Sequence, residues 1–543
     1  MNKSLYLAHK IIFSATFLLG ISISSFAQIE HGGTPYSFKK KSFGSFAAVA
    51  LPAMDNQQLL QEEIRAEKKE EGYPFGKEIA VDYRLDNSGS WEELPDGGRL
   101  WRLGIESKGA YSLNLLFDRF YIPPSSHLFI YTADHSFVLG SFTVKNNNRW
   151  GNFATTLLPG DAIVLEFYEA AQDRNNATIQ LSTVVHGYKN FFFQKEGTYG
   201  NSGSCNVNIN CDIGQPYQKV KQAVALILNG GNRHCSGTLI NNTAQDTTPY
   251  FLTAHHCVKR GGSTYDPSQF VFIFNYETSD CEGKNPTKTY SINGATVVAI
   301  GSDTSDFALL LLEDRPPAYY AGWSRKDTLY KGVVAIHHPM GDWKKISEDR
   351  KTITSGKYHE DDLHYPENTH YIVAWDTGTT ERCSSGSGLF NRERLLIGQL
   401  EGGYASCAYR EGEDYYGKFS YSWTNNNHPD SNRLDYWLDP LGLGVESLNG
   451  LDASVTSNIK NIVKQENTIS IYPNPTNGKL KIESGEWKIK NMIVYDIPGR
   501  KMLEETAIQN NEFVLNMEEL HIGLYILKIE TENGVFIRKI VKR

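Results

Sequence analysis

Beyond residue 27 this chain of 543 residues holds no apolar run long enough to cross a bilayer, which excludes a helical membrane span from the rest of the sequence. It also lacks a basic stripe. The formal net charge is -8, with acids and bases interspersed, so no face is marked for a phosphate backbone and nucleic acid is not an expected partner. No self-similarity of solenoid period is present. Cysteine is missing from about Gln28 to about Lys195, and all seven cysteines fall between Cys205 and Cys407. No Cys-x-x-Cys pair occurs among them, which removes the commonest zinc spacing.

What is present points to export and to β structure. Lys3 and Lys10 are basic, Ile11 to Phe26 is apolar, and Ser25-Phe26-Ala27 offers small residues for cleavage, so residues 1–27 read as a signal peptide. Export puts the cysteines in an oxidising compartment, where disulfides are expected. With 30 Tyr and 47 Gly the composition suits sheets and tight turns, and the length calls for several cores. Runs such as Leu100 to Leu103, Tyr111 to Phe117 and Ser126 to Tyr131 alternate apolar and polar residues, predicting a β-rich domain over 28–199. The cysteine-bearing stretch, 200–450, reads as a second domain. A polar linker over 451–467 precedes short strand-like runs at Ile469 to Tyr472, Lys479 to Ile482, Met492 to Tyr495, Leu524 to Ile529 and Val535 to Val541, which fit a small β-sandwich over 468–543.

Three segments carry candidate chemistry. Tyr250-Phe251-Leu252-Thr253-Ala254-His255-His256-Cys257 runs an apolar strand into two histidines. Asp306 heads the apolar run Phe307 to Leu312, so its carboxylate sits at a core edge and needs a partner. Cys383-Ser384-Ser385-Gly386-Ser387-Gly388 packs small residues around a serine, where backbone N–H groups can approach a substrate carbonyl. A zinc site built from Cys235, His255, His256 and Cys257 competes for the histidines, but adjacent ligands converge poorly on one tetrahedral ion, so no metal and no cofactor is expected.

The order His, Asp, Ser, about 50 and 80 residues apart, resembles the triad order of chymotrypsin-like peptidases on a double β-barrel. Over about Gly200 to Gly450 the resemblance narrows to the bacterial lysyl endopeptidases. It is carried by Gly200-Asn201-Ser202-Gly203-Ser204-Cys205-Asn206, Phe251 to Cys257, Ala335-Ile336-His337-His338-Pro339, Gly398-Gln399-Leu400 and Leu434 to Gly450. The resemblance implies an all-β fold, His256 as base, Asp306 as its orienting acid and Ser385 as nucleophile of an acyl-enzyme mechanism. The oxyanion would be held by the backbone N–H groups of Cys383 and Ser385. Family members carry glycine where this chain has Cys383, so that side chain must point away from the oxyanion.

The family's positions also imply disulfides Cys205–Cys407, Cys211–Cys281 and Cys235–Cys257, leaving Cys383 reduced beside the nucleophile. Asp414, in Asp414-Tyr415-Tyr416-Gly417, stands where the family carries its lysine-specificity acid. Glu401, in Gln399-Leu400-Glu401-Gly402-Gly403, replaces a family histidine, and the insertion His359 to His370 hides the counterpart of a pocket tryptophan. Glu401, Gly402 and Gly403 are expected to line the substrate site, and an added negative charge at 401 should favour a cationic residue. Pancreatic-type relatives place an aspartate just before the catalytic serine to receive a freed amino terminus; here that position is Ser384. Control is therefore expected from residues 28–199 acting as a propeptide, cut after Lys195.

At the other end, Tyr472-Pro473-Asn474-Pro475-Thr476-Asn477-Gly478, Val494-Tyr495-Asp496-Ile497-Pro498-Gly499-Arg500, Gly523-Leu524-Tyr525-Ile526 and the basic end resemble the carboxy-terminal sorting domain of type IX secretion substrates. The resemblance implies passage through the periplasm, contact with the type IX machinery and release or display at the cell surface. The expected function is a secreted serine endopeptidase that cleaves polypeptides after lysine and is made as a zymogen. The alternative is an inactive protease-fold adhesin or binding protein at the cell surface.

Overall fold

The computed structural model describes residues 27–28, 32–39, 45–66, 73–190, 202–260, 263–283, 286–301, 305–358, 366–424, 429–453, 469–485, 487–496, 501–532 and 534–543. Most of the signal segment, Lys195 and most of the expected linker lie outside them. The chain divides into two compact units, Met1–Ser454 and Val455–Arg543.

The first unit opens with a sandwich. One sheet runs Phe153–Ala154, Ser112–Tyr121, Thr178–Gly187, Gly76–Arg84; the other runs Ala47–Ala50, Arg99–Glu106, Ala162–Glu169, His127–Thr132, Val138–Phe142. Strand alternation builds the core: Leu113, Leu115 and Phe117 of one sheet meet Leu103, Ile105, Leu128, Ile130, Ile163 and Leu165 of the other. The three strands expected from alternation are all present, extended to Arg99–Glu106, Ser112–Tyr121 and His127–Thr132.

Two β-barrels follow. The first strings together Tyr290–Asn293, Val271–Phe274, Val224–Asn229, Asn232–Ile240, Tyr250–Ala254, Phe307–Leu312 and Ala295–Gly301. The second runs Lys345–Thr352, Lys331–His337, Gly388–Asn391, Leu396–Gly403, Asp414–Lys418 and His370–Val373. Lys331–His337 shows why its sequence is apolar at successive positions. Val333 and Ala335 face the second barrel's core, while Val334 and Ile336 face the first barrel, so both sides of the strand are buried.

The first barrel is also buried on two faces. Ala225, Ile227, Phe272 and Phe274 point into its core, whereas Leu226, Leu228, Val271 and Ile273 point outward. These outward residues pack with Tyr276 and Trp343 against Phe75, Leu116, Ala154, Leu157 and Val185 of the N-terminal sandwich. Tyr73–Pro74 pairs antiparallel with Asn232–Arg233, and Phe75 N–H donates to the Gly231 carbonyl at 2.9 Å. Asn152 Nδ2 donates to Ser268 Oγ at 2.7 Å, and Asn293 Nδ2 to the Ala154 carbonyl at 2.7 Å.

Leu451–Asp452, expected at the start of the linker, instead pairs with Tyr319–Tyr320 beside the barrels. The second unit packs a sheet Ser470–Tyr472, Lys479–Glu483, Glu512–Asn516 on a sheet Lys501–Glu505, Ile489–Asp496, Gly523–Thr531, Gly534–Lys542. Leu480, Ile482 and Leu515 meet Met492, Val494, Leu527, Ile529 and Ile540 in its core.

Candidate active site

The strand Tyr250–Ala254 ends in a single helical turn, His255–Cys257. Its neighbour starts at Phe307, which pairs with Ala254, so Asp306 is delivered to the base of that turn. Asp306 has φ 51°, a left-handed conformation that aspartate tolerates better than most residues. His255 N–H donates to the Asp306 carbonyl at 2.8 Å and His256 N–H to its Oδ1 at 3.0 Å. His256 Nδ1 lies 2.7 Å from Oδ2, and Asp306 is 2% exposed. An ionised carboxylate can only accept, so Nδ1 carries the proton and Nε2 keeps its lone pair. The ring of His255 reaches no closer than 3.8 Å to the same carboxylate. His256 is therefore the histidine whose ring hydrogen-bonds the acid.

The Ser385 loop is clamped to the same strand end. Ser236 N–H donates to the Ser385 carbonyl at 2.9 Å, and Ser236 Oγ donates to the Cys383 carbonyl at 2.8 Å. Thr253 Oγ1 donates in turn to the Ser236 carbonyl at 2.8 Å. Gly386 has φ 78°, and a Cβ there would lie 2.1 Å from Thr253 Oγ1 and 2.7 Å from the Ala254 nitrogen. Glycine is thus the residue that lets the loop meet the strand leading to His256. Gln399 Nε2 donates to the Ser305 carbonyl at 2.6 Å, tying the second barrel to the segment carrying Asp306. The backbone at Ser385 and Gly386 thus lies against the strand end that leads to His256, and Asp306 is bonded to His256.

Disulfides join Cys205 to Cys407, Cys211 to Cys281 and Cys235 to Cys257. The last closes on the His256 turn, and its two sulfurs, bonded to each other, offer no thiolate to a metal. Cys383 stands outside these bonds, 2% exposed and at φ 70°. That φ lies in the left-handed region, which glycine adopts more readily than cysteine.

Asp414 begins the strand Asp414–Lys418 and is 1% exposed. Its Oδ2 accepts from Trp375 Nε1 and from Thr380 Oγ1, both at 2.6 Å, and its Oδ1 from Ala405 N–H at 3.3 Å. No lysine or arginine among the described residues pairs with it. Burial pushes its pKa up to about 6, against the pull of these hydrogen bonds.

Residues 199–417 match the family described as lysyl endopeptidase, C-terminal domain, and residues 470–543 match the secretion system C-terminal sorting domain. A lysyl endopeptidase of Pseudomonas aeruginosa PAO1 is 28% identical over 358 residues, spanning 61% of this chain and 75% of that protein. The chain is thus similar to lysyl endopeptidases over this span, which supports a serine endopeptidase. Among solved structures, a Glu endopeptidase in complex with MPD is 18% identical, covering 41% of this chain and 92% of that one at TM-score 0.27. Rv3671c from M. tuberculosis H37Rv, as an inactive Ser343Ala mutant, is 16% identical, covering 41% and 90% at TM-score 0.26. The sorting tail makes the endopeptidase a secreted or cell-surface protein that engages the secretion machinery, and no helix among the described residues is long and apolar enough to cross a membrane.

The surroundings of Glu401, Gly402 and Gly403 differ in detail from the sequence reading. Glu401 is buried and its Oε2 lies 2.5 Å from His370 Nε2. His370 Nδ1 lies 2.8 Å from Thr369 Oγ1, whose proton goes to the Pro366 carbonyl, so Nδ1 carries a hydrogen. The bond to Glu401 then needs one further proton, on Nε2 or on the carboxyl, and the pair is neutral as a whole. The expected extra negative charge at 401 is offset within the pair. Gly402 and Gly403 allow close approach of their neighbours: a Cβ at 403 would lie 2.3 Å from Asp414 Oδ1, and one at 402 would meet the Tyr358 hydroxyl at 3.1 Å. Sequence reasoning missed Trp375, Thr380, Ser236 and His370. Trp375 sits five residues past the insertion that hid it, and only its indole N–H, aimed at a carboxylate 39 residues on, identifies it.

Proposed function

We propose that this secreted endopeptidase cleaves polypeptides after lysine, with Ser385 as nucleophile, His256 as general base and then acid, and Asp306 orienting the imidazole. His256 Nε2 takes the Ser385 hydroxyl proton as the oxygen attacks the scissile carbonyl, then returns it to the leaving amine, giving an acyl-enzyme that water hydrolyses. Asp306, accepting from both the backbone and the ring of His256, holds the required tautomer and stabilises the imidazolium. The N–H groups of Cys383 and Ser385 receive the oxyanion, a contribution of about 3 kcal/mol to transition-state binding.

One observation carries the preference for lysine: a carboxylate, Asp414, buried to 1% exposure and given, among the described residues, three hydrogen-bond donors but no cation. A substrate ammonium supplies the missing charge, and a substrate or variant lacking either partner leaves the other uncompensated in a buried site. The neutral Glu401–His370 pair adds no competing charge. The N-terminal sandwich is read as a propeptide cut after Lys195 that stays on the apolar face of the first barrel it covers, since release would expose that face to water. Mapping cleavage sites in a mixed peptide library tests the reading. Lysine is expected at nearly every cut, and Asp414→Asn is expected to lower kcat/KM on lysyl peptides at least about 100-fold. Cuts distributed over uncharged residues would overturn it.

A further inference from the structure

His337 is not used by the reaction above. It ends the strand Lys331–His337 and is fully buried at 0% exposure. Its Nδ1 lies 2.8 Å from Ser384 Oγ and its Nε2 3.1 Å from Ser347 Oγ. The direction of each bond follows from the ends of the chain of contacts. Ser347 Oγ donates to the Thr379 carbonyl at 2.8 Å, so it accepts from Nε2–H. Nδ1 then has only a lone pair and accepts the Ser384 hydroxyl, whose oxygen receives the Glu381 N–H at 3.1 Å. Burial keeps the imidazole neutral, with its pKa pushed down to about 3. Ser347, Thr379 and Ser384 are themselves fully buried, at 0% exposure, so no water competes along this path.

The braced segment, 379–384, is the one on which the reaction depends. Thr380 donates to Asp414, the Cys383 carbonyl is held by Ser236, and Ser384 directly precedes the nucleophile. We propose that His337 is a positioning residue: through Ser384 it fixes the backbone from Thr379 to Ser385, and with it the oxyanion site. The proposal rests on reading Ser385 as the nucleophile. Pancreatic-type relatives hold the position before the catalytic serine with an aspartate and a freed amino terminus. Here Ser384 is held by a buried imidazole, and every group in the brace belongs to residues 337–384, so no cut amino terminus is needed to close it.

His337→Phe, which keeps bulk but has no acceptor, His337→Asn, whose Oδ1 can still accept from Ser384, and Ser384→Ala test the role in processed enzyme. Two ligands are compared: a peptide boronate, which forms a tetrahedral adduct on Ser385, and a plain alkylammonium ion, which fills only the Asp414 pocket. The Phe variant is expected to lose about 100-fold in kcat and in boronate affinity, with KM and alkylammonium affinity within about threefold; the Asn variant recovers about tenfold of the loss. If the Phe variant fails to fold, Ser384→Ala, which leaves the imidazole in place, carries the same comparison. Unchanged boronate affinity, or an equal loss for both ligands, overturns the role of His337. Failure of the parent enzyme to bind boronate overturns the assignment of Ser385 instead.

Discussion

At the scale of single residues, the chemistry is concentrated in two buried acids with opposite tasks. Both oxygens of Asp306 accept from His256, whereas Asp414, among the described residues, accepts only from neutral donors, which on the proposed function leaves it for a substrate cation. Because Asp414 titrates near 6, its ionised form, the one that pairs with an ammonium, is lost as pH falls through that value. For lysyl substrates kcat/KM should rise with pH through about 6 and then level, and the part of that limb due to Asp414 should disappear in Asp414→Asn; a pH–rate profile of both enzymes checks this. Asp306 was legible in the sequence because an acid heading a run of apolar residues has to be paired. Asp414 was legible only through resemblance. Its partners Trp375 and Thr380, and the pairing of Glu401 with His370, were not, because each contact joins residues more than thirty positions apart and leaves no local pattern.

At the scale of elements, the site hangs on strand ends and the turns between them. Cys383 occupies φ 70° in the turn before Ser385, and in the proposed mechanism its backbone N–H, not its side chain, serves the reaction. Cys383→Gly is expected to keep kcat within about threefold, while Cys383→Val, β-branched in a left-handed turn, should lose at least about tenfold; steady-state kinetics on both variants decides this. Most strands announced themselves by alternation or by long apolar runs. Lys501–Glu505 and Glu512–Asn516 did not: the first is largely exposed and charged, and the second holds only three apolar residues in succession, too few to show alternation. Leu451–Asp452 was read as linker because two residues are too few to show a period.

At the scale of the whole molecule, the N-terminal sandwich completes the first barrel. Leu226, Leu228, Val271, Ile273, Tyr276 and Trp343 are each at most 7% exposed and pack against Phe75, Leu116, Ala154, Leu157 and Val185 of that domain. Residues 200–453 produced alone should aggregate and bind a hydrophobic dye, and residues 28–199 supplied as a separate chain should restore soluble protein; size-exclusion chromatography with dye fluorescence reads both outcomes. A monomer that binds no dye would show that the barrel repacks without its partner. The sequence carried the existence of both domains but not this interface, since a strand buried on two sides reads the same whether its second neighbour is a sheet of its own domain or of another.

The most direct test of the account is the site of covalent labelling by a fluorophosphonate, read by intact mass and peptide mapping on the processed protein. One adduct is expected, on Ser385, and it should vanish in His256→Ala. Absence of an adduct, or its appearance on another serine, would contradict the claim that His256, Asp306 and Ser385 form one working site.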